Sequence, residues 1–153
     1  MKRFVVTCAC LGLLALAAPL AAQSGEIALT RQVIQTERQA LVTAAMELTE
    51  QEGAAFWPLY REYREAMAKV GDRTQALIVD YAAKYPTLTD VDAQAMLDEM
   101  VAIDGEALKV RKDYVKRFGK ILPAKRVARF FQIENKMDAI IKAELVQEIP
   151  LAR

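Results

Sequence analysis

The sequence predicts an all-α protein: an elongated four-helix protomer built on a long antiparallel helical hairpin. Three observations carry that expectation. Apolar residues recur at three- and four-residue spacing, the helical period. No stretch stands out as alternating apolar and polar residues in the way a half-buried strand does. Gly and Pro number only 6 and 5 among 153 residues, so they punctuate the chain at few places.

The first element is not part of the fold. Met1-Lys2-Arg3 precedes an apolar run from Phe4 to Leu16 and then Ala17-Ala18-Pro19-Leu20-Ala21-Ala22-Gln23. A basic start, a short apolar run and small residues at a cleavage point read as a secretory signal peptide over 1–22. The run is short for a membrane span, which needs about 20 apolar residues; an uncleaved anchor is the competing reading. Cys8 and Cys10 leave with the signal, so a periplasmic domain over 23–153 is expected to be stable through packing alone.

A first helix is expected over about 27–47, with Val33, Ile34, Leu41, Ala44 and Leu48 on its apolar side. Thr49-Glu50-Gln51-Glu52 then spells a capping box and starts a second helix. Its stripe runs Phe56, Tyr60, Tyr63, Met67, Val70, Thr74, Leu77, Tyr81, close to a heptad seam. Pro58 removes a backbone donor and should bend this helix or separate a short first segment. Lys84-Tyr85-Pro86 ends it, and Thr89-Asp90-Val91-Asp92 caps a third helix. That helix carries Ala93, Met96, Met100, Ile103, Ala107, Val110, Tyr114, Phe118 and Ile121, and Gly119 and Pro123 break it. Pro123 suits the first turn of a fourth helix, which shows Val127, Phe130, Phe131, Met137, Ile141 and Leu145 and stops before Pro150. Helices two and three, at about 45 Å each, make a long thin hairpin that buries little surface per residue, so a homodimer is expected.

Composition removes most enzymes. The chain has no His, one Ser (Ser24) and one Asn (Asn135). A serine triad, a cysteine–histidine pair and a zinc site of His or Cys ligands all need side chains the exported chain lacks. No enzyme activity, cofactor or metal is expected, and nucleic acid is not an expected partner outside the cytoplasm.

Leu48-Thr49-x-x-Glu52 stands eight residues before Phe56-Trp57, and Leu122-Pro123-x-x-Arg126 stands eight before Phe130-Phe131. With the signal peptide and the near-complete helicity, these helix starts resemble the periplasmic Spy/CpxP-like family, marked by its LTxxQ motif. In Leu48-Thr49-Glu50-Gln51-Glu52 the Gln stands one place early and Glu takes its position. Leu88-Thr89-Asp90-Val91-Asp92 is a looser echo. Leu122-Pro123-Ala124-Lys125 with Arg129-Phe130-Phe131-Gln132-Ile133-Glu134-Asn135-Lys136 resembles a branch of uncharacterised exported proteins. The resemblance implies a curved four-helix protomer pairing antiparallel into a cradle-like dimer. It implies an ATP-independent chaperone or a stress-signalling accessory; the metal-sensing role relies on His and is not carried over.

The charge distribution is the sharpest feature. Formal charge is +1 over the whole chain, yet Lys109 to Lys136 holds ten basic residues against Asp113 and Glu134. These are Lys109, Arg111, Lys112, Lys116, Arg117, Lys120, Lys125, Arg126, Arg129 and Lys136. A segment at +8 is a candidate surface for an acidic client, a sensor domain or lipid head groups; the alternative is that it pairs with acidic residues of helices one and two or of a second protomer. Phe56, Trp57, Tyr60, Tyr63, Phe130 and Phe131 read as core and dimer interface, or as an apolar client surface with flexible Met67, Met96 and Met100 nearby. Glu134 falls on the apolar stripe of helix four and must be paired if buried, with Arg61 or Arg64 as the expected partner and Gln132 and Asn135 joining a polar network. Asp98, Glu99, Asp104 and Glu106 read as a solvated acidic face, with a weak divalent site as the distant alternative. The function expected is capture of unfolded or stress-exposed envelope proteins; the alternative is a regulator docking on the periplasmic domain of a membrane stress sensor.

Overall fold

The computed structural model describes residues 36–152, all but 36 and 37 within a compact unit of Arg38–Arg153. The signal peptide and the start of the first helix lie outside the described residues. The fold is all-α, as the periodicity requires. The described part of α1 covers 36–46; α2 is Glu50–Lys84, α3 Asp90–Phe118 and α4 Ala124–Glu148, with one 3-10 turn at Tyr85–Thr87.

The capping box forms. The Thr49 hydroxyl accepts from the Glu52 N–H at 3.3 Å, and the Glu52 carboxylate accepts from the Thr49 N–H at 2.9 Å. A cap of this kind is worth about 1 kcal/mol. Glu52 sits below the usual carboxylate range chiefly because of that backbone donor. Thr89 caps α3 in the same way through the Asp92 N–H.

Pro58 does not separate a segment. Helix α2 runs unbroken through it for 35 residues. The flanking Phe56, Leu59 and Tyr60 are buried, so tertiary packing holds this turn where propensity alone would break it.

Ion pairs mark the hairpin's register. Lys84 pairs with Asp92 at 3.4 Å near the turn, Arg73 with Glu99 at 2.9 Å and with Glu106 in the middle, and Arg117 with Glu62 furthest away. Positions fall along α2 as they rise along α3, which is antiparallel pairing. The acidic run expected to be solvated thus contributes two of its four carboxylates, Glu99 and Glu106, to Arg73.

The core lies at the open end of the hairpin. Val42 and Met46 of α1, Phe56, Leu59, Tyr60 and Tyr63 of α2, Phe118, Leu122, and Val127 and Phe130 of α4 form one buried cluster. Further along, a small second cluster of Val70, Ile103 and Ala107 is buried among the described residues.

One face was misread. Helix α1 buries Arg38, Val42 and Met46, while Leu41 is 54% exposed and Ala44 faces solvent. The four-residue step from Arg38 defines the inward side, and only a paired charge there makes that orientation possible.

Candidate functional site

The site begins with a carboxylate on an apolar face. Glu134, 1% exposed, stands on α4 four residues after Phe130 and seven after Val127, close enough to the Tyr60 and Tyr63 hydroxyls of α2 for its charge to act on them. Arg38 of α1 donates to its Oε2 at 3.0 Å and Arg64 of α2 at 2.9 Å. Arg38 reaches Asp138 at 3.0 Å as well, and Arg111 of α3 closes the chain on Asp138 at 3.2 Å. Five charged side chains from all four helices therefore share one network. Burial pushes the Glu134 carboxyl up, against the downward pull of Arg64 and then Arg38.

Arg64 is one of the two partners the sequence offered; the other, Arg61, is exposed. Arg38 and Asp138 were missed. Their signal was present: Arg38 stands four residues before Val42, and Asp138 four after Glu134. Gln132 and Asn135 do not join the network. Both are exposed, because the roughly 100° turn per residue carries them off Glu134's side of α4.

Of the readings offered for the aromatic set, the core one matches where the side chains lie. Phe56, Tyr60, Tyr63 and Phe130 are buried; Trp57, Met67 and Phe131 are half-buried against them. Phe118 and Phe130 lie 4.7 Å apart, and Phe56 meets Phe130 edge-on at 5.3 Å. Rings packed among themselves at these distances present little surface to a partner.

Loss of solvation, followed by the nearby Glu134 charge, pushes the Tyr60 and Tyr63 hydroxyls up to about 12 from an ordinary 10.0. The folded chain therefore holds protons that the unfolded chain releases first. Their contribution to stability is full below pH 10 and is lost as pH rises through about 12. The unfolding free energy should fall across that window by up to about 1.4 kcal/mol per pH unit for each tyrosine, read as a falling urea midpoint. The Tyr60→Phe, Tyr63→Phe double variant should flatten the fall; an equally steep fall in that variant would show that other groups cause it.

The basic segment divides by residue type. Its arginines are engaged within the chain. Arg111 holds Asp138, and Arg117 pairs with Glu62 while its guanidinium lies 4.6 Å from the Tyr114 ring centre. Arg126 donates to the Met46 and Glu47 carbonyls at 2.6 and 2.9 Å and stands 3.8 Å from Glu52; Arg129 is 3.9 Å from Glu47. Glu47, at φ 48°, is in the left-handed region, and Arg126 holds this strained turn between α1 and α2. Arg111, Arg117 and Arg126 thus have partners within the chain, whereas Arg129, 52% exposed and 3.9 Å from a 75% exposed Glu47, stays open to solvent. Lys109, Lys112, Lys116, Lys120, Lys125 and Lys136 are all exposed, with no ion pair among the described residues.

The lysines adjoin apolar surface. Leu97, Val101, Leu108 and Val115 follow one another along α3 at steps of four, seven and seven residues, so they share one side. Each is between 44% and 65% exposed. Among the described residues, no group of three or more acidic side chains is placed to hold a metal ion, and no helix is long and apolar enough to cross a membrane. Comparison with models of known protein families, with curated proteins and with solved structures returned no match.

Proposed function

We propose that this chain is an exported, non-enzymatic, ATP-independent chaperone-like protein of Spy/CpxP type that binds unfolded or stress-exposed envelope proteins. The observation that carries the reading is the exposed α3 row Leu97, Val101, Leu108 and Val115 beside the exposed Lys109, Lys112 and Lys116. Apolar side chains supply affinity for unfolded segments, and lysines speed capture of acidic ones in a salt-sensitive way. A homodimer belongs to the proposal. Its ground is the thin hairpin, which among the described residues beyond Tyr63 buries only Val70, Ile103 and Ala107 before the end of α3.

The test is aggregation of a denatured client at low and high salt. The protein should suppress it, better at low salt, and the Val101→Asp, Leu108→Asp double variant, altered only at exposed positions, should lose most of the effect. No suppression by the parent protein at either salt would overturn the reading. The alternative, a regulator docked on a membrane stress sensor, rests on the clustering of the exposed lysines. It expects one stoichiometric partner in pull-downs, lost on Lys112→Glu with Lys116→Glu. Charge reversal at Arg126 would not discriminate, because Arg126 also holds the α1–α2 junction.

A further inference from the structure

A groove of about 410 Å³ runs between α2, α3 and the second half of α4, away from the exposed α3 row. Met67, Val70, Ile78, Ile103, Ile141 and Leu145 supply its apolar walls. Charged side chains also line it: Arg38, Arg111 and Lys142 against Asp104 and Asp138, an excess of one positive charge. Behind them Arg64 and Glu134 cancel. Arg38 is 4% exposed, and its Nε has no hydrogen-bond acceptor among the described residues. Arg111 has a single carboxylate partner, and Lys142, exposed on α4, has none among the described residues.

We propose that this groove binds a straight-chain amphiphile with one anionic head, a fatty acid. The carboxylate would sit with Arg38, Arg111 and Lys142, and the alkyl chain along Met67, Val70, Ile103 and Ile141. The walls decide against an extended peptide. They are helices, whose backbone groups are already bonded to one another, so a peptide's N–H and C=O groups would lose water and find no partner. An alkyl chain asks for none. The volume is in the range of small-molecule sites, and a largely apolar lining with a few convergent polar groups is their usual make-up. The charge excess selects an anion over a cation of the same length. Gly71 also lines the groove, and a Cβ built on it meets nothing within 4 Å. That open space makes Gly71 a place to fill the groove without disturbing the core.

The measurement is titration calorimetry of the purified protein with dodecanoate and with dodecyltrimethylammonium, each below its micellar concentration. One saturable dodecanoate site per chain is expected, about tenfold or more tighter than the ammonium, since a charge-assisted contact is worth that much. Gly71→Leu should weaken dodecanoate binding at least about tenfold while the melting temperature holds or rises, because leucine favours a helix over glycine. Lys142→Glu, at an exposed unpaired position, should narrow the preference for the anion. Equal binding of the two head groups, undiminished binding by Gly71→Leu, or no saturable site would each overturn the proposal. None of these outcomes bears on client capture by the α3 row, which the same Gly71→Leu protein should retain.

Discussion

Glu134→Ala should cost about 3–5 kcal/mol of folding stability, read as a drop in the urea midpoint with the slope unchanged. The cost does not measure what the ion pairs contribute. Taking Glu134, Arg38 and Arg64 out of water is expensive, and their mutual attraction does little more than offset it. Removing the carboxylate keeps the expense and deletes the offset. Arg38, at 4% exposed, cannot reach water, although it retains Asp138 at 3.0 Å. Arg64 is a fifth exposed and can partly resolvate, which places the expected loss toward the lower end of the range. The same reasoning gives a second expectation. Arg38→Met combined with Glu134→Leu removes both buried charges and should recover most of the loss, while either change alone should not. A loss under about 1 kcal/mol for Glu134→Ala would show that the network is far more hydrated than its burial indicates.

What the network adds is orientation. Helices pack through apolar faces that tolerate rotation and sliding, and α1 has an apolar alternative in Leu41 and Ala44. Arg38 rules that face out, because rotating α1 to bury Leu41 would carry the guanidinium away from Glu134 and Asp138. This is also why the face was illegible from the sequence. A stripe counted from apolar residues alone treats an arginine as a mark of the solvent side. The reverse inference worked on α4, where a glutamate between Phe130 and Met137 interrupts an otherwise apolar side and so demands a cation. One buried charge flags itself by standing in an apolar row. Its partner, on a shorter and weaker helix, does not.

The hairpin was legible for the opposite reason. Phe56, Tyr60, Tyr63 and Val70 hold one period over several turns, and tertiary packing agrees with it. Beyond Val70 the agreement thins. No residue from Gly71 to Ala102 is buried, and Met100, on the expected stripe, is 46% exposed. Two helices alone cannot enclose a side chain on all sides, whatever its period. The basic segment was legible as a sum of charge but not as a surface. Arginine's planar fork can bond carbonyls and carboxylates in several directions at once, as Arg126 does, whereas lysine is a point charge on a flexible stem. Counting both as +1 merged structural residues with free ones.

Phe118→Ala is expected to be among the most damaging core substitutions, at about 3–5 kcal/mol. The ring is fully buried at the last residue of α3 and touches aromatic rings on three helices. Phe56 lies 5.3 Å away, Tyr63 6.3 Å, Tyr114 6.3 Å, Phe130 4.7 Å and Phe131 6.1 Å, all between centres. Its position explains why the cavity should not collapse. Immediately after it the chain turns through Gly119 to Leu122, where the Ile121 and Leu122 N–H groups both bond back to the Phe118 carbonyl, so the backbone here is pinned. Truncation therefore removes ring contacts from α2 and α4 together while the frame stays in place. Phe130→Ala should cost a similar amount, and the double variant should lose less than the two singles added, since the rings share a contact. Val115→Ala, three residues earlier on the exposed side of α3, is the control: its loss should stay within about 0.5 kcal/mol. Matching losses at 115 and 118 would mean that the aromatic cluster is not the element holding the hairpin to α4.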